Sequence, residues 1–216
     1  MNIVHEDFDL ISYKDAMVRQ SELHQQVKSG EIDAAIMTLQ HPPTLTLGKH
    51  ASLDNFLMDP KQIEMQGVEI IESERGGEVT AHMPGQLVVY PILPLRELGL
   101  GAKTYVNEVL LGSVMKTLEN YGISTYTDDD KPGVWVDDKK ICAVGVRISQ
   151  RISTHGIAIN INNSLSVFEY IVPCGIKSRG VTSIAQELGK SVGFERVKES
   201  LLLNIYKSIG NLTSDA

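Results

Sequence analysis

Cysteine is scarce in this chain. There are two in 216 residues, Cys142 and Cys174, without the spacing of a disulfide framework. That usage fits a reducing compartment. No apolar run approaches the roughly 20 residues that span a membrane. The start, Met1-Asn2-Ile3-Val4-His5-Glu6-Asp7, has neither the basic nor the apolar part of a secretory signal. The expected location is the cytoplasm. Surplus positive charge is also lacking: a net charge of −7 argues against a nucleic-acid binder that works by bulk electrostatics. Internal repeats, linker-like stretches, and Rossmann or Walker glycine patterns are missing too. What remains is an ordinary globular composition, 42% hydrophobic and 22% charged, enough for one domain over residues 1–216 with a sizeable core.

The charge is unevenly spread. Residues 131–180 hold Lys131, Lys139, Lys140, Arg147, Arg151, Lys177 and Arg179 against Asp137, Asp138 and Glu169, a local net of +4 in an acidic protein. Such a stretch suits a landing surface for an acidic partner.

Apolar periodicity predicts a first helix over 12–29, ended by Gly30, then strands at 32–39, 44–48, 68–71, 78–81 and 86–93. Thr104 is read as the cap of an amphipathic helix that closes at Gly122. Strands follow at 134–136, 141–148 and 152–161, with a turn at Asp137-Asp138, and helices return at 182–188 and 194–209. Neighbouring strands joined by hairpins, with helices grouped apart, predict an α/β (α+β) domain with a mixed, largely antiparallel sheet flanked by helices.

Cys174 lies in Pro173-Cys174-Gly175, outside any apolar period. Proline fixes the approach of the chain and glycine leaves room beside the sulfur, so the thiol is presented rather than packed. Cys142, in Ile141-Cys142-Ala143-Val144, reads as a small buried hydrophobe. A nucleophilic thiol needs a base or cation nearby. His82, His155 and the lysines Lys139 and Lys140 are the candidates by sequence. The run Arg75-Gly76-Gly77-Glu78-Val79-Thr80-Ala81-His82 allows close backbone approach at its glycines and aims Thr80 and His82 to one side of a strand. Glycines inside strands, at Gly145 in Ala143-Val144-Gly145 and at Gly156 in His155-Gly156-Ile157-Ala158, suggest a slot for a flexible apolar tail.

Taken in order, these runs resemble the lipoyl/octanoyl transferases of lipoate biosynthesis. The shared pieces are His41-Pro42-Pro43 with Thr46-Leu47-Gly48, Arg75-Gly76-Gly77 through His82, Pro84-Gly85-Gln86-Leu87 with Tyr90-Pro91, and Gly133-Val134-Trp135-Val136. Lys140-Ile141 with Ala143 to Arg147, His155-Gly156 with Ala158 and Asn160, and Pro173-Cys174-Gly175 with Gly180 to Ser183 complete the set, over roughly residues 35–188. The resemblance implies a fold similar to lipoate and biotin protein ligases and an acyltransferase that needs no cofactor and no metal. Octanoyl or lipoyl would pass from acyl carrier protein to Cys174 as a thioester. It would then pass to a lysine on lipoyl domains of 2-oxoacid dehydrogenase E2 subunits or on the glycine cleavage H protein. Lys140 is implied as partner of the thiol, with Arg75 to His82, Ala143 to Gly145 and Gly156 to Ala158 as the acyl-binding residues. Two positions depart from the family pattern: Met83 replaces a usual glycine, and Cys142 a small alanine-like residue.

Rivals on the same fold are an ATP-dependent lipoate or biotin ligase, which needs no nucleophilic cysteine, and a thioesterase that lets water finish the acyl-enzyme. A carrier-binding module without chemistry would lack Cys174 or Lys140, and both are here.

Overall fold

A computed structural model describes residues 2–172 and 180–214. Strand β1 (Ile3–Asp7) leads to helix α1 (Tyr13–Ser29), whose N-cap Ser12 accepts a hydrogen bond from the Asp15 amide and whose end is Gly30 at φ +76°. Strands β2 (Ala34–Leu39) and β3 (Thr44–Leu47), helix α2 (Pro60–Met65), and strands β4 (Glu69–Glu72), β5 (Val79–His82) and β6 (Gln86–Ile92) follow. After a helical stretch come β7 (Tyr126–Thr127), β8 (Val134–Val136), the long hairpin of β9 (Lys139–Ser149) and β10 (Ile152–Asn160), and the short β11 (Gly180–Val181). Helices α5 (Ile184–Leu188) and α6 (Phe194–Ser214) close the chain.

Among the described residues the main sheet runs β1-β2-β6-β10-β9-β8-β7, with β11 added to β9, and a small sheet runs β4-β3-β5. Pairing is parallel for β1–β2, β9–β11 and β3–β4 and antiparallel elsewhere. The mixed, largely antiparallel sheet expected from the hairpins is present. Both faces of its centre are buried. Along β6, Leu87 and Val89 enter one core with α6 and the helix before β7, while Val88, Tyr90 and Ile92 enter the core under α1. Period-two alternation between two apolar cores explains why β2 and β6 read as nearly unbroken apolar runs. A third core lies beneath the small sheet.

Strands β1, β7 and β11 and helix α2 were not expected from the sequence, and one expected helix starts elsewhere. The helix before β7 begins at Ala102, capped by Gly101, so Thr104 lies inside it and makes no side-chain cap. Its parts are α3 (Ala102–Thr104), a π-helical segment over Tyr105–Leu111 and α4 (Gly112–Glu119). The wider π turn lets consecutive Val109, Leu110 and Leu111 all be buried, which a 3.6-residue period would not predict.

Candidate active site

A largely apolar cavity of about 490 Å³ is bounded by the 75–80 loop, β5, β9 and β10. Ligand sites commonly have this size and character. The hairpin supplies its floor in register: Ala143 opposite Ala158, Val144 opposite Ile157, Gly145 opposite Gly156, and Val146 opposite His155. The cavity gathers Arg75, Gly76, Gly77, Glu78, Val79, Thr80 and His82 with Ala143 to Gly145, Gly156 to Ala158, and Lys140. Ala81 is not among the cavity's lining residues; it is buried in the core of the small sheet with Leu45 and Ile63.

Lys140 stands where β8, β9 and β11 meet. It is 6% exposed, whereas Lys139 on the other face is exposed. Its Nζ donates to the Pro132 carbonyl at 2.8 Å and lies 4.7 Å from the centre of the Trp135 ring, its register partner on β8. The Trp135 indole N–H in turn donates to the Lys131 carbonyl at 3.0 Å. Gly133, at φ +142°, leaves room for the stem: a Cβ there would sit 3.0 Å from Lys140 Cε and 2.7 Å from the Cys142 carbonyl. A buried ammonium held by a carbonyl and an aromatic face is a fixed cation. On the neighbouring strand, β11 pairs Gly180 with Lys139 and Val181 with Lys140.

Arg75 has a different place from a simple ligand contact. Its Nε donates to Thr46 Oγ1 at 3.0 Å, Nη2 to the carbonyls of Thr46 at 2.6 Å and Glu78 at 2.7 Å, and Nη1 to the Gly76 carbonyl at 3.0 Å. The guanidinium therefore holds the 75–78 loop onto β3. Gly145 allows that loop to sit on the sheet, since a Cβ there would be 2.9 Å from the Gly76 carbonyl. The space beside Gly156 is likewise taken: a Cβ would be 2.2 Å from the Val89 carbonyl. These glycines line the cavity, but backbone approach is what requires them.

The far wall is an imidazole and phenol cluster. Gln86 Nε2 donates to the Ala81 carbonyl and to Asn160 Oδ1, so its Oε1 accepts from His82 Nδ1–H at 2.8 Å. His82 Nε2 is thereby the acceptor nitrogen. His41 Nδ1–H donates to the Ile11 carbonyl at 2.9 Å, leaving Nε2 to accept from the Tyr90 hydroxyl at 3.0 Å. Burial pushes His41 down to about 4 and His155 down to about 3, the latter helped by the cations Arg75 and Arg147. His82 is pushed well below its ordinary value, chiefly by burial and then by His41. All three are neutral imidazoles near pH 7 and weak bases, which removes His82 and His155 as strong thiol activators. Tyr90, which lines the cavity, and His41 behind it were not singled out as site residues from the sequence. The signal available was the polar residue inside an apolar run, at His41 before Pro42-Pro43 and Tyr90 before Pro91.

Cys142 is 1% exposed, and burial pushes its thiol up to about 12, so it is an inert core residue as its apolar run predicts. Met83, also buried, packs in the core of the small sheet and does not line the cavity. Cys174, Lys177 and Arg179 lie outside the described residues. The chain on either side is anchored: the Val172 amide donates to the Asn55 carbonyl at 2.7 Å, and the Thr182 amide to the Lys140 carbonyl at 3.0 Å.

The sequence model of the lipoyl protein ligase A/B catalytic domain family matches residues 12–205. An octanoyltransferase of Chloroflexus aggregans is 43% identical over 198 residues, covering 90% of this chain and 89% of that protein. One from Bacteroides fragilis is 39% identical over 211 residues, covering 93% and 95%. Similar solved structures include lipoate-protein ligase A bound with ATP, at a TM-score of 0.67 and 11% identity over 99% of this chain and 92% of that one. Another is LipL1 of P. falciparum in complex with lipoate, at 0.75 and 15% over 97% and 63%. A third, biotin protein ligase from Aquifex aeolicus with biotin and ATP, gives 0.58 and 15% over 100% and 73%. At these identities the structural likeness carries the fold.

Proposed function

The chain belongs to the octanoyltransferases within the lipoyl protein ligase A/B catalytic domain family, and from that premise we propose a two-step acyl transfer through Cys174. It is an acyltransferase of lipoate biosynthesis. In the proposed first step the Cys174 thiolate attacks the thioester carbonyl of octanoyl-acyl carrier protein. The carbon–sulfur bond to the carrier breaks, and the departing thiolate takes a proton from the Lys140 ammonium. In the second step a lysine amine of a lipoyl domain, on an E2 subunit or the glycine cleavage H protein, attacks the Cys174 thioester. The amine loses its proton to Lys140, the amide forms and Cys174 leaves as thiolate. No ATP is required, because the thioester is already activated and exchange onto another thiol is close to neutral. A cytoplasmic place of action belongs to the same reading; among the described residues no helix is long and apolar enough to cross a membrane.

The observation that carries this reading is the buried Lys140 ammonium, fixed against Trp135 at one end of an apolar cavity. The cavity suits a saturated tail, and the cation suits an anionic sulfur and the leaving thiolate. The test is intact mass after incubation with octanoyl-carrier protein, followed by peptide mapping and then addition of a lipoyl domain. An octanoyl adduct on Cys174 that moves to the acceptor lysine is expected. Cys174→Ala should form no adduct, and Cys142→Ala should form it normally. An adduct on Cys142 overturns the assignment, and free octanoate in place of the amide identifies a thioesterase.

A further inference from the structure

The acyl cavity ends at an unusual residue. His155 lies inside β10 with φ +57°, a left-handed conformation that costs a non-glycine residue about 1–3 kcal/mol. The neighbouring strand is irregular at the same level. The β6–β10 register runs through Val89 opposite Ile157, and its continuation places Pro91, which has no N–H to donate to the ladder, opposite His155. The His155 amide points to α1, donating to Gln20 Oε1 at 3.1 Å. Its ring is buried, at 5% exposure, edge-on to Tyr90.

On the other side of this residue is a second cavity of about 550 Å³. It lies between α1, the end of β4 and the tip of the β9–β10 hairpin. Its lining is mixed and more polar than that of the first, with Gln20, His24, Ser73, Glu74, Arg147 and Thr154, and Arg147 forms an ion pair with Glu74 beside it. His155 lines both cavities. The order along the hairpin is continuous: the pairs from Ala158–Ala143 to His155–Val146 floor the apolar cavity, and Arg147, Ser149 and Thr154 take up the polar one. The apolar floor covers three residue steps, about 10 Å, a length that an extended octanoyl tail spans. At the divide, His155 Nδ1 and Gln20 Nε2 are buried without a hydrogen-bond partner among the described residues. Each such atom costs about 1–3 kcal/mol, which a wall serving packing alone would avoid by using apolar groups.

We infer that His155 is the end wall of the acyl cavity and sets its chain length, and that Gln20 is the positioning residue that keeps it there. The inference rests on the acyl-transfer reading, but its central test does not need transfer. Saturated fatty acids of eight, ten and twelve carbons compete with a fluorescent fatty-acid probe, so that binding is ranked by length without any chemistry.

The wild-type protein should bind the eight-carbon acid best. His155→Gly suits the left-handed backbone and removes the ring. It should open the cavity into its neighbour and improve twelve-carbon relative to eight-carbon binding on the order of tenfold, less than the full gain for four buried methylenes because the second cavity is lined in part by polar groups. His155→Asn, which tolerates the same backbone conformation, should move the ranking the same way with less risk to the fold. Gln20→Leu removes the acceptor and should broaden the ranking, whereas Gln20→Glu keeps an acceptor oxygen and should restore the wild-type order. A ranking unchanged in a folded His155 variant, judged by its circular dichroism melt, overturns the end wall. A ranking unchanged in Gln20→Leu overturns the positioning role. Octanoyl adduct formation on the wild type is measured separately, so a missing adduct beside a shifted ranking removes the transfer reading and leaves the wall standing.

Discussion

At the scale of single residues, charge state separates the groups that can act from those that support. Cys142 and the three buried histidines are held neutral by burial, while Lys140 is placed on a carbonyl and an indole face. Lys140→Ala should slow acylation on the order of 10²–10⁴-fold, typical of lost acid–base assistance. Lys139→Ala should change it little. The alkylation rate of Cys174 against pH is the check: Lys140→Ala should require higher pH, and an unchanged profile refutes the pairing. The histidines also make stability depend on pH. Their ordinary value is 6.5, and His41 and His155 are depressed to about 4 and 3 in the fold. Below pH 6.5 the unfolded chain therefore takes up protons that the folded chain refuses until near pH 4, and stability falls on acidification across that window. The slope is on the order of 1 kcal/mol per pH unit for each histidine. The urea midpoint should drop clearly between pH 7 and pH 5, above the range where Glu6 and Asp7 titrate; a flat midpoint contradicts the buried neutral state. At this scale the sequence exposed Cys142 well, because an apolar run marks it as a core residue; Cys174 lies outside the described residues. The sequence could not separate Lys140 from the histidines, because burial and the Trp135 face arise only when β8 and β9 pair.

At the scale of elements, glycine was legible as a position and ambiguous in meaning. A glycine within a strand signals that something approaches closely, but pattern alone does not say whether it is a ligand or another strand. Gly145 meets the Gly76 carbonyl, and Gly156 meets the Val89 carbonyl and the Pro91 ring. The two readings differ in what alanine does. If Gly156 only made room for a tail, Gly156→Ala would weaken acyl binding and leave the fold intact. With a Cβ 2.2 Å from the Val89 carbonyl, the strands must shift. Destabilisation of about 1–3 kcal/mol is expected, seen as a fall of several degrees in Tm. An unchanged Tm would return Gly156 to the ligand. The same limit explains the helix before β7. Thr104 has the chemistry of a cap, yet the buried Leu100 and Tyr105 carry the helical turn upstream to Gly101. The central strands, the hairpins and the Asp137-Asp138 turn were legible because they depend on local period and turn chemistry, whereas the edge strands β1 and β7 and the short β11 were not read from the sequence. The parallel pairs β1–β2 and β3–β4 depend on long connections and were not legible.

At the scale of the whole molecule, the fold presents an acidic protein with one basic stretch, and the order of pieces along the chain made the family legible before any contact was known. What a linear reading could not show is that α1, distant in sequence, meets one end of the cavity through the hydrogen bond from the His155 amide to Gln20, and that Lys131 and Lys140 come together at the cavity's opposite end. Lys131 lines it, Lys140 is buried at it and Lys139 is exposed beside it. An acyl carrier protein of net negative charge would be repelled by a chain of net charge −7 unless a basic surface orients the approach. Lys177 and Arg179 follow Cys174 by three and five residues, close enough in sequence to meet the carrier without joining the chemistry. Lys177→Glu combined with Arg179→Glu should lower kcat/KM for octanoyl-carrier protein by about tenfold at low salt. Exposed charges are screened beyond about 10 Å at 0.1 M salt, so the loss should shrink as salt rises. Transfer from a small neutral octanoyl thioester should barely change, because that donor has no surface to steer. A loss equal for both donors, or independent of salt, would mean that the two residues act through Cys174 and not through the carrier, and the landing surface would have to be sought at Lys131 and Lys139.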